Sequence, residues 1–395
     1  MPNRIEQIAA KRRVQAALNH FHQISEQSVE TILSIQQIAA PTFAEAERAS
    51  YVEAQFAVLG LTDVEQDKLH NVYGRFPGRR SGAKTSLPPV IISAHTDTVF
   101  PIETDLATRR QGNIIYGPGI GDNSTGVAGL LLLIDTLNQH NLQPAADLWF
   151  VANVGEEGMG DLCGMRAVGK RFGPEATYLV VEGGLYGQIA HQAIGVRRFR
   201  IDVETGGGHS WANFGRPSAI HALGHIISQF DGISVPRNPK TTYNVGVISG
   251  GTSINTIAQN ASCLLDLRSE DNAALQTLVG EAKAIVEQVR QRKWEGSRVK
   301  IKMTQVGNRP SGALPRQAPL VTWAEAALHA VGCPKVTYII GSTDANIPLS
   351  MGANAVCIGL TKSGNAHRFD EYVDISKLPQ GLGQLLLLIL ATAGF

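Results

Sequence analysis

Glu156 and Glu157 stand side by side in Asn153-Val154-Gly155-Glu156-Glu157-Gly158, directly after the apolar segment Ala146 to Val151, which reads as a buried strand. Two acids close together in different surroundings can divide labour, one holding a metal while the other takes a proton from water. For an isolated pair, a solvated turn is the plain alternative. Upstream, the strand Val90 to Ala94 runs into His95-Thr96-Asp97. Residues two apart in an extended chain face the same way, so His95 and Asp97 converge. A carboxylate on one ring nitrogen orients an imidazole and strengthens it as a ligand at the other, which suits Asp97 to support His95; a strand-end hydrogen bond is the alternative. Tyr116-Gly117-Pro118-Gly119-Ile120-Gly121-Asp122-Asn123-Ser124 then places Asp122 after a glycine-rich loop, just before a helix, which Asp122 or Ser124 could equally cap. The glycine spacing is not G-x-G-x-x-G, and Asp122 would repel phosphate, so a dinucleotide loop is excluded. Glu182 follows another apolar strand, and His367 lies in the loop Ser363 to Glu371. In open α/β sheets ligands bind beyond the carboxyl ends of strands, where His95, Glu157 and Glu182 fall.

These residues need a frame. Helical spacing covers Ile5 to Phe21, Ser28 to Ala39, which Pro41 stops, and Ala44 to Leu59. Strands are expected at Asn71 to Phe76 and Val90 to Ala94, separated by the loop 77 to 89, with a helix at Gly126 to Asn138. Asp147 to Val154 and Ala176 to Val181 read as further strands flanking a helix at Gly164 to Arg171, and the alternation implies an α/β sheet with helices on both faces. The texture changes near Gly195. Val196 to Val203, His221 to Phe230, Thr242 to Ser249, Cys263 to Arg268, Ala273 to Arg292 and Val299 to Val306 give the order strand, helix, strand, strand, helix, strand. That order matches a ferredoxin-like split βαβ module inserted into the larger domain. After Pro310 the α/β pattern resumes with a helix at Leu320 to Val331, strands near Val336 to Ile340 and Ala355 to Ile358, and a final helix from Leu378. The expected division is 1–194 and 310–395 for the larger domain and 195–309 for the insertion.

Composition narrows the function. A chain of 395 residues suggests more than one core, and 43% hydrophobic against 17% charged residues is globular. With 35 basic and 34 acidic side chains there is little to draw a polyanion, so nucleic acid is not an expected partner. Met1 to Val14 is basic without an apolar core and does not read as a secretory signal. The apolar runs Leu130 to Ile134 and Leu385 to Leu390 fall short of the roughly 20 residues of a membrane span and read as buried helices. Cysteines 163, 263, 333 and 357 form no Cys-x-x-Cys pair, which fits a reducing cytoplasm.

The ordered set His95-x-Asp97, Gly-x-Gly-Asp122, Glu156-Glu157, Glu182 and His367 resembles the di-zinc family of carboxypeptidase G, aminoacylase, acetylornithine deacetylase, succinyl-diaminopimelate desuccinylase and peptidase T. The resemblance covers essentially the whole chain and extends to Glu371-Tyr372-Val373-Asp374-Ile375 and to the inserted module, in that family a lid or dimerisation domain. It implies a zinc-peptidase-like mixed sheet plus the ferredoxin-like α+β insertion. It implies two zinc ions per subunit, with Asp122 bridging, His95 and Glu182 completing one site, and Glu157 and His367 the other. Glu156 becomes the general base towards a metal-bridging water. Carboxylate and imidazole donors without thiolate suit zinc, with cobalt or manganese as substitutes.

In the insertion, Gly206-Gly207-Gly208-His209-Ser210 resembles the family's glycine-flanked histidine, which implies that His209 steadies the tetrahedral oxyanion, in relatives across a dimer. An exposed loop histidine is the alternative. Ser210 lacks the G-x-S-x-G setting of a serine nucleophile. Gly250 to Ile257 and Asp266-Leu267-Arg268 resemble a segment that holds a substrate carboxylate or carbonyl, making Asn255 and Arg268 candidates and Arg309 a further one. A guanidinium pairs a carboxylate with two bonds, although a plain salt bridge within the insertion would also explain Arg268. Gly341-Ser342-Thr343-Asp344 resembles a turn beside the active site. Two departures stand out: Asn123-Ser124-Thr125-Gly126 lacks the lysine that many relatives carry after the bridging aspartate, and Ser342 replaces a common glycine. Together they tilt the expectation from deacetylases or desuccinylases towards cleavage of short peptides, and the resemblance implies a homodimer formed through the insertion. An N-acyl-amino-acid amidohydrolase is the nearest alternative. A non-catalytic binding protein on the same scaffold is the alternative of another class; six costly polar side chains around one cavity argue against it.

Overall fold

The computed structural model describes residues 4–80, 82, 87–294 and 298–395, so part of the expected loop 77–89 lies outside the described residues. The chain divides into two compact units, Met1–Ala193 with Gly312–Phe395, and Ile194–Ser311.

The first unit is built on a mixed sheet. Its strands run in the order Thr62–Gln66, Val72–Phe76, Leu148–Asn153, Val90–His95, Thr177–Glu182, Asn354–Gly359, Gln188–Ala193 and Gly312–Ala313, with Thr337–Gly341 also pairing Gln188–Ala193. Val90–His95 is parallel to both Leu148–Asn153 and Thr177–Glu182, and Asn354–Gly359 is parallel to Thr177–Glu182. These central strands are buried almost throughout and mostly apolar because both faces are covered. Val90, Ile92, Leu179 and Val181 pack into one cluster with the helices Arg12–Gln23, Thr125–Gln139, Pro319–Ala330 and Leu378–Ala393, whereas Ile91, Tyr178 and Val180 pack into another with the helix Cys163–Phe172. Thr125–Gln139 and Leu378–Ala393 are apolar almost all round and almost wholly buried, as such helices must be. Ile375–Ala393 is long and apolar enough to cross a bilayer, but 78% of its apolar window lies inside the unit. The expected helix Ile5 to Phe21 is two helices, Arg4–Ala9 and Arg12–Gln23. Their buried residues Ile5 and Ile8, then Val14, Ala17 and Phe21, skip the three-or-four-residue step between Ile8 and Val14, so one straight helix could not bury both sets. A smaller antiparallel sheet joins Lys362–Gly364, Tyr372–Asp374, Ile114–Tyr116 and Arg109–Gln111.

The second unit is ferredoxin-like. Thr241–Gly250, Asn260–Ser269, Gly195–Glu204 and Lys300–Arg309 form an antiparallel sheet in that order, with the helices Ala219–Asp231 and Asn272–Gln291 on one face. Alternation in Gly195–Glu204 drives this: Phe199, Ile201 and Val203 enter the core while Arg200 and Glu204 stay exposed.

Candidate metal centre

The strand ends of the first unit bring the acids and imidazoles together. His95 lies opposite Asn153 in neighbouring parallel strands, so the chain beyond each emerges at one edge of the sheet, as does Glu182 at the end of Thr177–Glu182. The His95 side chain is 2% exposed, and its Nε2 lies 3.0 Å from Asp122 Oδ1 and 3.6 Å from Glu182 Oε2. The other oxygen of Asp122, Oδ2, lies 3.2 Å from His367 Nε2, which is also 3.1 Å from Glu157 Oε1. Two donor groups result, His95–Asp122–Glu182 and Asp122–Glu157–His367, each with its ligand atoms within 4.8 Å of one another, and Asp122 belongs to both.

Around them, buried polar contacts fix the geometry. Asp97, fully buried, accepts hydrogen bonds from the backbone N–H groups of Glu156 and Glu157, each at 2.9 Å, and from the Thr42 hydroxyl at 2.9 Å. His95 Nδ1 lies 3.1 Å from the Asp97 backbone carbonyl and 3.5 Å from its Oδ1, so one residue orients the imidazole while its carboxylate holds the Glu-Glu turn. Gly155, with φ of 66°, allows the turn to reverse, and a side chain there would run into Cys163. Glu156 itself is 6% exposed.

The Asp122 loop is tied down from two sides. Asn123 donates to the Val181 carbonyl at 2.9 Å and accepts from Gly183 N–H at 2.8 Å, anchoring the loop to the strand that ends in Glu182. Glu371, 1% exposed, accepts from the N–H groups of Gly119, Gly121 and Asp122 at 3.0, 2.7 and 2.8 Å. Sequence reasoning gave neither Glu371 nor Arg48 a role. Arg48, also 1% exposed, donates to the carbonyls of Ile38 and Thr96 at 2.9 and 2.8 Å, and the Asp97 charge partly offsets the burial that lowers it to about 10. Arg48 carries no motif signal. For Glu371 the one signal is its place in the segment after His367.

The charges are strongly interdependent. Burial pushes Glu182 up to about 7 against the pull of His95. Hydrogen bonds to Asp122 and then Glu157 lift His367 to about 10. His95 lies well above the usual histidine value: burial opposes its charge, but contacts with Asp122, Asp97 and Glu182 win. Asp122 is depressed despite burial, through His367 and His95. Burial also raises Glu371 to about 7, against the backbone bonds it accepts.

This donor set fits divalent cations. Three carboxylates and two imidazoles converge with no thiolate, and the lone pairs now engaged with protons are those a cation would take. The remaining sequence candidates belong to the second unit. His209 is exposed and its Nδ1 accepts from the Trp211 N–H at 3.2 Å. The Asn255 carbonyl accepts from Ser210 N–H at 3.0 Å. Arg268 Nε donates to Asp266 at 2.5 Å, and Asp266 also accepts from Arg198 at 2.9 Å, a salt bridge inside that unit. Arg309 is buried at the end of Lys300–Arg309, where its carbonyl accepts from Arg197.

A mixed α/β unit with paired imidazole–carboxylate groups at its strand ends, interrupted in sequence by a ferredoxin-like unit, defines a class of metal-dependent hydrolases. Residues 91–391 match Peptidase family M20/M25/M40, and the chain belongs to that family. It is 25% identical over 356 residues to a succinyl-diaminopimelate desuccinylase of Corynebacterium glutamicum, covering 86% of this chain and 90% of that one. It is 28% identical over 226 residues to a probable carboxypeptidase of Aspergillus clavatus, a match spanning 51% of this chain and only 52% of that protein. Among solved structures, a tripeptidase from Staphylococcus aureus superposes with a TM-score of 0.77 over 93% of this chain and 98% of that one, at 20% identity.

Proposed function

We propose that this chain hydrolyses amide bonds of short peptides with the help of two divalent cations, zinc by preference. The observation that carries the reading is Asp122: its two oxygens face His95 and His367 separately, at 3.0 and 3.2 Å, as a bridge between two ligand groups must. His95 and Glu182 would complete one site, Glu157 and His367 the other. Bound there, the cations would supply Lewis-acid polarisation of the amide carbonyl and a lowered pKa for water. Glu156 takes the proton from the attacking water and returns it to the amide nitrogen as the carbon–nitrogen bond breaks, leaving a carboxylate and an amine. Asp97 holds Glu156 and Glu157 by their backbone N–H groups, so the base and its neighbouring ligand keep a fixed spacing. The same reading gives His209 a hydrogen bond to the oxyanion and Asn255, Arg268 and Arg309 contacts to substrate.

A second reading is favoured by one observation. The desuccinylase relative, whose name denotes removal of an acyl group from an amino acid, matches along nearly its whole length. Both reactions break one kind of bond, so a panel of dipeptides and tripeptides set against N-acyl amino acids separates them. Turnover of the acyl compounds alone would establish the second reading. In either case Glu156→Gln should lower kcat by about 10²–10⁴-fold while bound zinc stays constant; an unchanged kcat would remove Glu156 as the base.

We further infer a homodimer formed through the second unit. Its outer strand Thr241–Gly250 pairs only Asn260–Ser269 among the described residues and exposes Val247 and Ile248, a sheet edge suited to pairing. The four cysteines are free, in keeping with a reducing cytoplasm.

A further inference from the structure

We propose that Glu371 is a positioning residue that clamps the Asp122 loop to the His367 loop, and that this clamp decides whether the group Asp122–Glu157–His367 retains its cation. The inference rests on the divalent-cation reading and goes beyond it by assigning the two sites unequal supports.

The clamp is built from both sides. Glu371 sits between the His367 loop and the strand Tyr372–Asp374, which pairs with Ile114–Tyr116 just before the glycine-rich loop. Its side chain gathers three N–H groups of that loop, one oxygen taking Gly121 and Asp122 and the other Gly119, while its own carbonyl accepts from Gly117 N–H at 2.9 Å. Both carboxylate oxygens act as acceptors at once, which an amide cannot reproduce: one position would then present N–H to N–H. The seam is tight, because a Cβ on Gly121 would lie 2.9 Å from Ser363 Cβ and 3.1 Å from Glu371 Oε1.

The two donor groups depend on this seam unequally. His95 and Glu182 are buried at the ends of adjacent parallel strands, and Asn123 independently secures Asp122 to the second of those strands. His367 has no such frame. Its side chain is 53% exposed, and it sits in a loop at a φ of 67°, outside any regular strand or helix. Loosening Glu371 therefore frees His367 from Asp122 Oδ2 while His95 keeps Oδ1.

Zinc titration of the chelator-stripped, full-length protein tests this by equilibrium dialysis. Wild type is expected to bind two equivalents, and Glu371→Gln to keep the first with unchanged Kd while the second weakens by about 10–100-fold. Gly121→Ala, which wedges the same seam from the other loop, should give the same one-sided loss. Two unaltered equivalents in folded Glu371→Gln, or equal weakening of both, would overturn the proposal. Should both variants fail to fold, wild-type amide hydrogen exchange decides it: protection of Gly119, Gly121 and Asp122 supports the clamp, and exchange at exposed-loop rates overturns it. A wild-type protein that binds no zinc overturns the cation reading itself and the inference with it.

Discussion

Single side chains here carry opposing electrostatic duties. Glu182 is raised from 4.5 to about 7 by burial, and His367 from 6.5 to about 10 by Asp122 and Glu157. Each therefore favours the folded protein in its protonated form: the contribution is complete below the ordinary pKa and is lost as pH rises through the raised one. Asp122 works the other way, adding stability above its ordinary 3.8 that is lost as pH falls through its depressed value. The thermal midpoint of chelator-treated protein should decline from about pH 4.5 to about pH 10, and zinc should flatten that decline by replacing the protons. A flat or rising midpoint without metal would contradict the charge arrangement. For His209, an alanine substitution is expected to lower kcat by about 10²–10³-fold with zinc content unchanged, measured by steady-state kinetics beside metal analysis. An effect confined to KM would assign it to substrate binding instead.

Secondary elements fix where those side chains arrive. The helix Leu378–Ala393 is the clearest case, since Leu385 to Leu390 are all within 1% of complete burial. Leu386→Ala should cost about 2–5 kcal/mol of unfolding free energy, read by urea denaturation, because its neighbours cannot collapse into the space. Burial of this kind is what made the fold legible in sequence: continuous apolar runs marked Val90–His95, Leu148–Asn153 and Thr177–Glu182, and the acids and imidazoles at their ends followed. Elements without such a run escaped notice. Gln188–Ala193 contains Gln188, His191 and Gln192, and Gly312–Ala313 and Lys362–Gly364 are too short for any period to show. Glu371 escaped for another reason. Its partners are backbone N–H groups about 250 positions away, and a backbone donor leaves no residue type to read.

Taken as a whole, the molecule separates a deeply packed unit from a smaller one with an open sheet edge. If Thr241–Gly250 mediates self-association, replacing both Val247 and Ile248 with lysine should convert dimer to monomer in sedimentation velocity, since charges on an edge oppose pairing. Persistence of the dimer, or a monomeric wild type, would remove that surface from consideration.

The first unit is also split in sequence, with His95, Asp122, Glu157 and Glu182 before the second unit and His367 after it. The strand Asn354–Gly359, which sits between Thr177–Glu182 and Gln188–Ala193, arrives late as well. During synthesis the ribosome must therefore pass the second unit and reach residues 354–367 before the sheet can close and the fifth donor can join the other four. A nascent chain halted before residue 354 holds four of the five donors yet lacks both an inner strand of the sheet and the histidine that faces Asp122 Oδ2, so the second donor group is the last to form.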